Sequence, residues 1–204
     1  MERRIITKTG ESKVEVKKSK FLGIAANISS EEEAAELLKE IRKKHSMARH
    51  VCYAYSIGDS NPRMKFSDDG EPGGTAGKPI LDVITGSGIQ DIIVIVVRYF
   101  GGILLGTGGL VRAYTDSAKE AVLNAETKEE CLCSLYDMEI EYPDFETVKY
   151  LLENVEGVSM NMDYGTGVTM HVVIPEKISE DVTKKVSDKT SGRAKINLTG
   201  KGMM

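Results

Sequence analysis

Cysteine is scarce in this chain of 204 residues: Cys52, Cys131 and Cys133 are the whole set. An odd number without framework spacing excludes a disulfide scaffold and fits a reducing, cytoplasmic compartment. Cys131 and Cys133 form a C-x-C without a partner pair, so no structural zinc is expected. Long apolar runs are missing too. The longest aliphatic stretch, IIVIVV at residues 92 to 97, is far too short to span a membrane and has the length of a buried strand. The opening MERRIITKTG has charge but no apolar stretch behind it, which argues against a signal peptide. A basic excess is absent as well. Residues 1 to 134 hold 19 Lys+Arg and 19 Asp+Glu, residues 135 to 204 hold 8 and 12, and the net charge is −4. A domain that grips naked nucleic acid usually carries net positive charge, so any such contact must be local.

What is present reads as alternating secondary structure. RRIITK, KVEVKK and KFLGIAAN are strand-like. Ser30 with Glu33 makes a capping box ahead of EEEAAELLKEIRKKH, whose Ala34, Leu37, Leu38 and Ile41 recur at helical spacing. RHVCYAYSI is a strand with His50, Cys52, Ala54 and Ser56 on one face. Pro79 suits the first turn of a helix over PILDVITGSG, closed by Gly86 or Gly88. After the IIVIVV strand and the loop YFGGILLGTGG, LVRAYTDSAKEAVLNAE reads as a long helix. The polar TKEE, residues 127 to 130, reads as a linker between a domain over residues 1–130 and a second over 135–204. The second follows the order βαββαβ, the ferredoxin-like pattern. The fold class expected is α+β, without internal repeats.

Eleven of the 20 glycines lie between Gly70 and Gly109. The candidates for loop roles are Gly70, Gly74, Gly77, Gly101, Gly102, Gly106, Gly108 and Gly109. Neither nucleotide motif fits. Pro72 stands where a Walker A loop needs its first glycine, and Val111 where the dinucleotide fingerprint needs its third. The order strand, glycine loop, helix still offers free backbone N–H groups to an anion, with Arg98 and Arg112 to reinforce them. Spacing alone favours the plainer reading of close helix–sheet packing. In SDDGEP, Asp68, Asp69 and Glu71 can hold a cation, act as acid and base, or cap backbone groups. Without a second ligand motif no metal is expected. His50 and Cys52 stand parallel along a strand, about 7 Å apart, too far for a nucleophile pair. His45 at a helix end and His171 in a strand read as structural.

Two stretches, FSDDGEPGGTAGKPIL (66–81) and VVRYFGGILLGTGGLVRAY (96–114), resemble the signature of the IMPACT/YigZ family. KSKFLG and RHVCYAY agree with it, and Gly73 departs from the family's usual Ser or Ala. The resemblance implies an N-terminal domain similar to the second domain of a small-subunit ribosomal protein, with a mixed sheet and helices on one side. It implies a ferredoxin-like C-terminal domain similar to the last domain of elongation factor G. Eukaryotic relatives regulate translation initiation through an additional N-terminal domain not found in these 204 residues, and no established reaction or cofactor comes with the family. The functional expectation is therefore a non-enzymatic binding protein linked to translation, with the ribosome, RNA or a translation-associated protein as partner. The alternative is a small-anion site or enzyme centre, if Lys20, His50, Asp68, Asp69, Glu71, Lys78, Arg98 and Arg112 converge. If they do not, SDDGEP is a rigid turn. In either case Arg98, leaving a buried strand, is expected to fork onto Asp68 or Asp69.

Overall fold

The computed structural model describes residues 2–204. By contact the chain divides into two compact units, residues 3–129 and residues 130–204, the latter joined by Glu2. In the first unit, β2 (Gly10–Val16), β3 (Ser19–Asn27), β4 (His50–Ile57), β5 (Arg63–Ser67) and β6 (Ile92–Tyr99) form a sheet in the order β2-β3-β6-β4-β5. Before them, β1 (Glu2–Lys8) sends Thr7 Oγ1 to the carbonyl of Glu126 and Lys8 to its carboxylate.

The mixed sheet implied by the resemblance is not found. All four pairings in this sheet are antiparallel. The reason is topological. β3 and β4, joined through α1 (Glu31–Lys44), run parallel to each other, but β6 inserts between them and opposes both. Helices cover both faces rather than one. Ala34 and Ile41 of α1 pack with Ile24, Val51, Tyr55, Ile93, Ile95 and Val97. On the other face α2 (Gly77–Ser87) and α3 (Gly106–Leu123) bury Ile80, Ile84, Leu110, Tyr114 and Ala118 against Phe21, Cys52, Ala54 and Val94. This explains IIVIVV, which does not alternate: a central strand covered on both faces has no polar side.

The local signals hold in detail. Ser30 Oγ accepts from Glu33 N, and the Glu33 carboxylate accepts from Ser29 N. The reciprocal half of the capping box thus falls one residue earlier than the motif prescribes. Gly88 ends α2 in the left-handed region. α3, however, starts at Gly106, so Gly108 and Gly109 are helical rather than loop glycines, while Gly106 opens the helix at φ 72°. Tertiary packing of the Leu110–Tyr114 face overrides their weak helix propensity.

TKEE, where the contact division falls, is strand rather than loop. It lies in β7 (Glu126–Ile140). Polarity there reports exposure, whereas strand pairing uses backbone groups that every residue carries. Beyond residue 129, β7 is followed by α4 (Tyr142–Glu153), β8 (Ser159–Tyr164), β9 (Val168–Pro175), α5 (Glu176–Lys189) and β10 (Lys195–Met203). The order β10-β7-β9-β8, antiparallel throughout, is the ferredoxin-like arrangement. Met138, Ile140, Met170, Val172 and Ile174 pack on Phe145, Val148, Leu152, Val182 and Val186 of the two helices. His171 lies exposed on the sheet's open face between Asp137 and Asp163. Hydrogen bonds to Asp137 and then Asp163 hold its pKa above the ordinary histidine value.

Candidate functional site

The two glycine-rich stretches meet at the end of β6. The anchor is Glu71, whose side chain is 3% exposed. Its Oε1 accepts from Arg98 Nη1 at 2.6 Å and from the Tyr114 hydroxyl at 2.8 Å. Arg98, 5% exposed, ends the buried strand with its guanidinium 5.5 Å from the Phe21 ring centre and 5.6 Å from that of Phe100. Its Nε has no hydrogen-bond partner among the described residues. The expected fork from Arg98 onto Asp68 or Asp69 is therefore corrected: Glu71 takes that role. The backbone decides which acid reaches. Glu71 N donates to Asp68 O, closing a turn with Asp69 at φ 43° and Gly70 at φ 82°. That reversal carries Glu71 inward and leaves the aspartates with other work.

Asp68 Oδ1 accepts from Ala76 N and Gly77 N, and Oδ2 from Gly74 N. It is thereby the missing cap of α2, whose own N-cap, Ala76, has no side-chain acceptor. Asp69 accepts both Arg42 guanidinium nitrogens, at 2.7 and 3.0 Å, and Val51 N at 2.6 Å. Burial pushes both carboxyls up, but the hydrogen bonds outweigh it. Backbone donors hold Asp68 below the ordinary carboxylate value, and Arg42 with Val51 N does the same for Asp69. Since the folded pKa values are depressed, the stabilisation is complete above the unfolded value of about 4 and is lost as pH falls below it. Asp68→Asn and Asp69→Asn are expected to weaken the first unit at neutral pH and to flatten its loss of stability between about pH 5 and 2. Acid titrations followed by circular dichroism measure this, and unchanged profiles would refute the assignment.

His50 Nδ1 lies 2.8 Å from the Asp69 carbonyl, which only accepts, so Nδ1 carries a proton. Its Nε2 stands 3.8 Å from Glu71 Oε1. The Cys52 thiol is directed at the Asp68 carbonyl and the Tyr114 hydroxyl rather than at His50. Burial pushes that thiol up to about 12, which leaves it without thiolate character. Burial and its acidic neighbours also raise the Tyr114 phenol.

Of the eight proposed site residues, His50, Asp68, Asp69, Glu71 and Arg98 come together. Lys20, Lys78 and Arg112 do not join them. Lys78 is exposed and paired with Asp82 one turn along α2. Lys20 and Arg112 are exposed. Lys20 pairs with Tyr99 in the sheet register, so its side chain falls on the opposite face from Arg98. The sequence reading missed Tyr114, Arg42 and Phe21. Only Tyr114 had a signal, as a tyrosine on the buried stripe of a helix inside the signature stretch.

The glycines divide by cause. Gly70, Gly74, Gly102 and Gly106 have positive φ. A Cβ on Gly77 would lie 2.8 Å from Ser67 C, and one on Gly101 would lie 2.1 Å from Lys18 C. Gly109 would crowd Leu105 at 3.1 Å. Gly73 and Gly108 have neither cause: their φ is not positive and a Cβ would meet nothing within 4 Å.

Around this end the surface is basic. Lys17 and Lys18 form the β2–β3 turn, both at positive φ, and Gly101 packs on Lys18. Lys20 stands beside Tyr99 in the ladder, the Arg49 guanidinium lies 5.5 Å from the Phe100 ring centre, and Arg112 projects from the second turn of α3. These five are exposed, and none of them has an ion pair among the described residues. Glu15 faces Lys20 across the hairpin. Phe100, Ile103 and Leu104 add exposed apolar surface, Leu104 at 82%.

The Impact N-terminal domain family matches residues 17–122, which include the Glu71–Arg98–Tyr114 anchor, and a domain of unknown function (DUF1949) matches residues 138–193. The IMPACT family member YigZ of Escherichia coli is 38% identical over 184 residues, 89% of this chain and 90% of that protein. The chain belongs to the IMPACT family. Its relative YvyE of Bacillus subtilis is 32% identical over 94% of this chain and 88% of that one. A solved structure described as an hypothetical protein overlays at TM-score 0.64 with 34% identity, covering 98% of each chain. For this IMPACT family chain the elaborate SDDGEP turn is thus a clamp. Its three acids fix α2, α1 and α3 to the sheet and leave the glycine loop exposed beside it.

Proposed function

We propose that this IMPACT family protein is a non-enzymatic binding protein of translation control, contacting ribosomal RNA through the basic end of the N-terminal unit. One observation carries the reading. Three acids near that end are consumed internally, Asp68 by backbone N–H groups, Asp69 by Arg42 and Glu71 by Arg98 and Tyr114, which leaves Glu15 as the exposed acid beside Lys20. The cations Lys17, Lys18, Lys20, Arg49 and Arg112 are not. A stretch neutral by count over residues 1 to 134 therefore presents local positive charge, which is what phosphate contact requires. The exposed Phe100, Ile103 and Leu104 suit unstacked bases. The link to translation rests on the family resemblance, which implies domains similar to those of translation factors. A small-anion site is less well supported, because the Arg98 guanidinium is enclosed by Phe21, Phe100 and Glu71.

Co-sedimentation with ribosomes tests it. Five phosphate contacts on single-stranded RNA imply an affinity that falls about a hundredfold between 50 and 200 mM salt. Lys17→Glu/Lys18→Glu and Arg112→Glu should each weaken association and flatten that salt slope while leaving the melting temperature unchanged. Parent and variants pelleting alike would end the proposal.

A further inference from the structure

Cys131 and Cys133 lie two residues apart on β7, so both point to one face of the strand. Their Sγ atoms are 3.6 Å apart. Met204 exchanges both backbone hydrogen bonds with Cys131, 2.9 Å from Cys131 N to Met204 O and 3.1 Å from Met204 N to Cys131 O. Residues paired in this way carry their side chains on the same face. One face of the sheet thus presents two thiols and a thioether, with Met204 half exposed and Cys131 partly so. Lys177, ion-paired with Glu2, lies close enough to Cys131 to interact with it electrostatically.

Two outcomes compete for such a pair, and distance decides between them. A disulfide needs its sulfurs near 2.05 Å and its Cα atoms typically about 5.5–6 Å apart, whereas residues i and i+2 of a strand are about 6.7 Å apart. Closing the bond would bend β7 where Cys133 pairs with Pro175 on one side and Gly202 on the other. A metal needs no such movement. With metal–sulfur bonds of about 2.3 Å, sulfurs at this separation subtend an angle of about 100° at a shared ion. Two thiolates and one thioether form a soft set. No group of three His, Cys, Asp or Glu suited to a metal occurs among the described residues, so zinc does not find its four ligands.

We propose that Cys131, Cys133 and Met204 form a binding site for a soft monovalent metal ion, copper(I). Two S–H protons pass to solvent as two Cu–S bonds form, the Met204 sulfur adds a third bond, and copper stays in the +1 state. Both thiols bind as thiolates, so binding releases protons and affinity should climb with pH.

The test is anaerobic titration of the full chain with copper(I), supplied as its acetonitrile complex against a chromophoric chelator. One copper(I) per chain is expected, with a near-ultraviolet thiolate-to-copper band. Cys131→Ser and Cys133→Ser should each lose the ion to the chelator, Met204→Leu should bind more weakly, and Cys52→Ala should keep full stoichiometry. Cys131→Ser decides the matter even if Cys133→Ser folds poorly. Substoichiometric binding, binding retained by Cys131→Ser, or equal retention of zinc by the parent would each overturn the proposal.

Discussion

Replacing Glu71 by alanine should lower the stability of the N-terminal unit by about 3–5 kcal/mol, a large part of what holds an ordinary domain together. The loss is not that of one contact. Glu71 and Arg98 are both almost wholly enclosed, and Glu71 Oε1 also takes the Tyr114 proton. Removing the carboxylate strands a guanidinium whose Nε already has no acceptor, together with a buried phenol. Arg98→Ala should cost a similar amount for the mirror reason. The double variant Glu71→Leu/Arg98→Met distinguishes this account from simple loss of packing. With neither charge left to desolvate, it should be more stable than either single variant. Urea unfolding gives all four values. Single variants within about 1 kcal/mol of the parent, or a double variant equal to the sum of the singles, would show that the pair is not the anchor.

The second large effect separates two glycines seven residues apart. Gly101→Ala places its Cβ 2.1 Å from Lys18 C and 2.3 Å from both Lys18 O and Ser19 N. All of these are backbone atoms, so no side-chain rotation relieves the clash. The hairpin turn must move, which also breaks the bond from Gly101 N to Ser19 Oγ. A loss of about 3 kcal/mol is expected. Gly108→Ala should act in the opposite direction. It lies in the first turn of α3 with ordinary φ and open space, where alanine is favoured by up to about 1 kcal/mol. If a partner's backbone approaches there, this variant should melt higher yet bind ribosomes less. Thermal melts paired with co-sedimentation read both quantities. A Gly101 variant as stable as the parent would contradict the packing described, and a Gly108 variant with full binding would remove that glycine from the interface.

The element order, the α+β class and the ferredoxin-like arrangement were legible in the chain itself because their signals are local. A cap such as Ser30, a run such as IIVIVV, or a stop such as Gly88 acts within one turn or one strand, and neighbours in sequence suffice to read it. The same locality explains the errors. TKEE read as a linker and is strand where the units divide, because polarity measures exposure and not pairing. The helical start at Gly106 was hidden because packing of the Leu110–Tyr114 face outweighs glycine's low propensity. The all-antiparallel pairing of the sheet was decided by β6 entering between β3 and β4, which no window of residues contains. The choice among Asp68, Asp69 and Glu71 as partner of Arg98 was also closed to the sequence. Three carboxylates within four residues are chemically alike, and only the reversal at Asp69 and Gly70 points one inward. The basic end follows from that same turn, since charge counts are sums over residues, whereas exposed charge depends on which acids the fold has already paired.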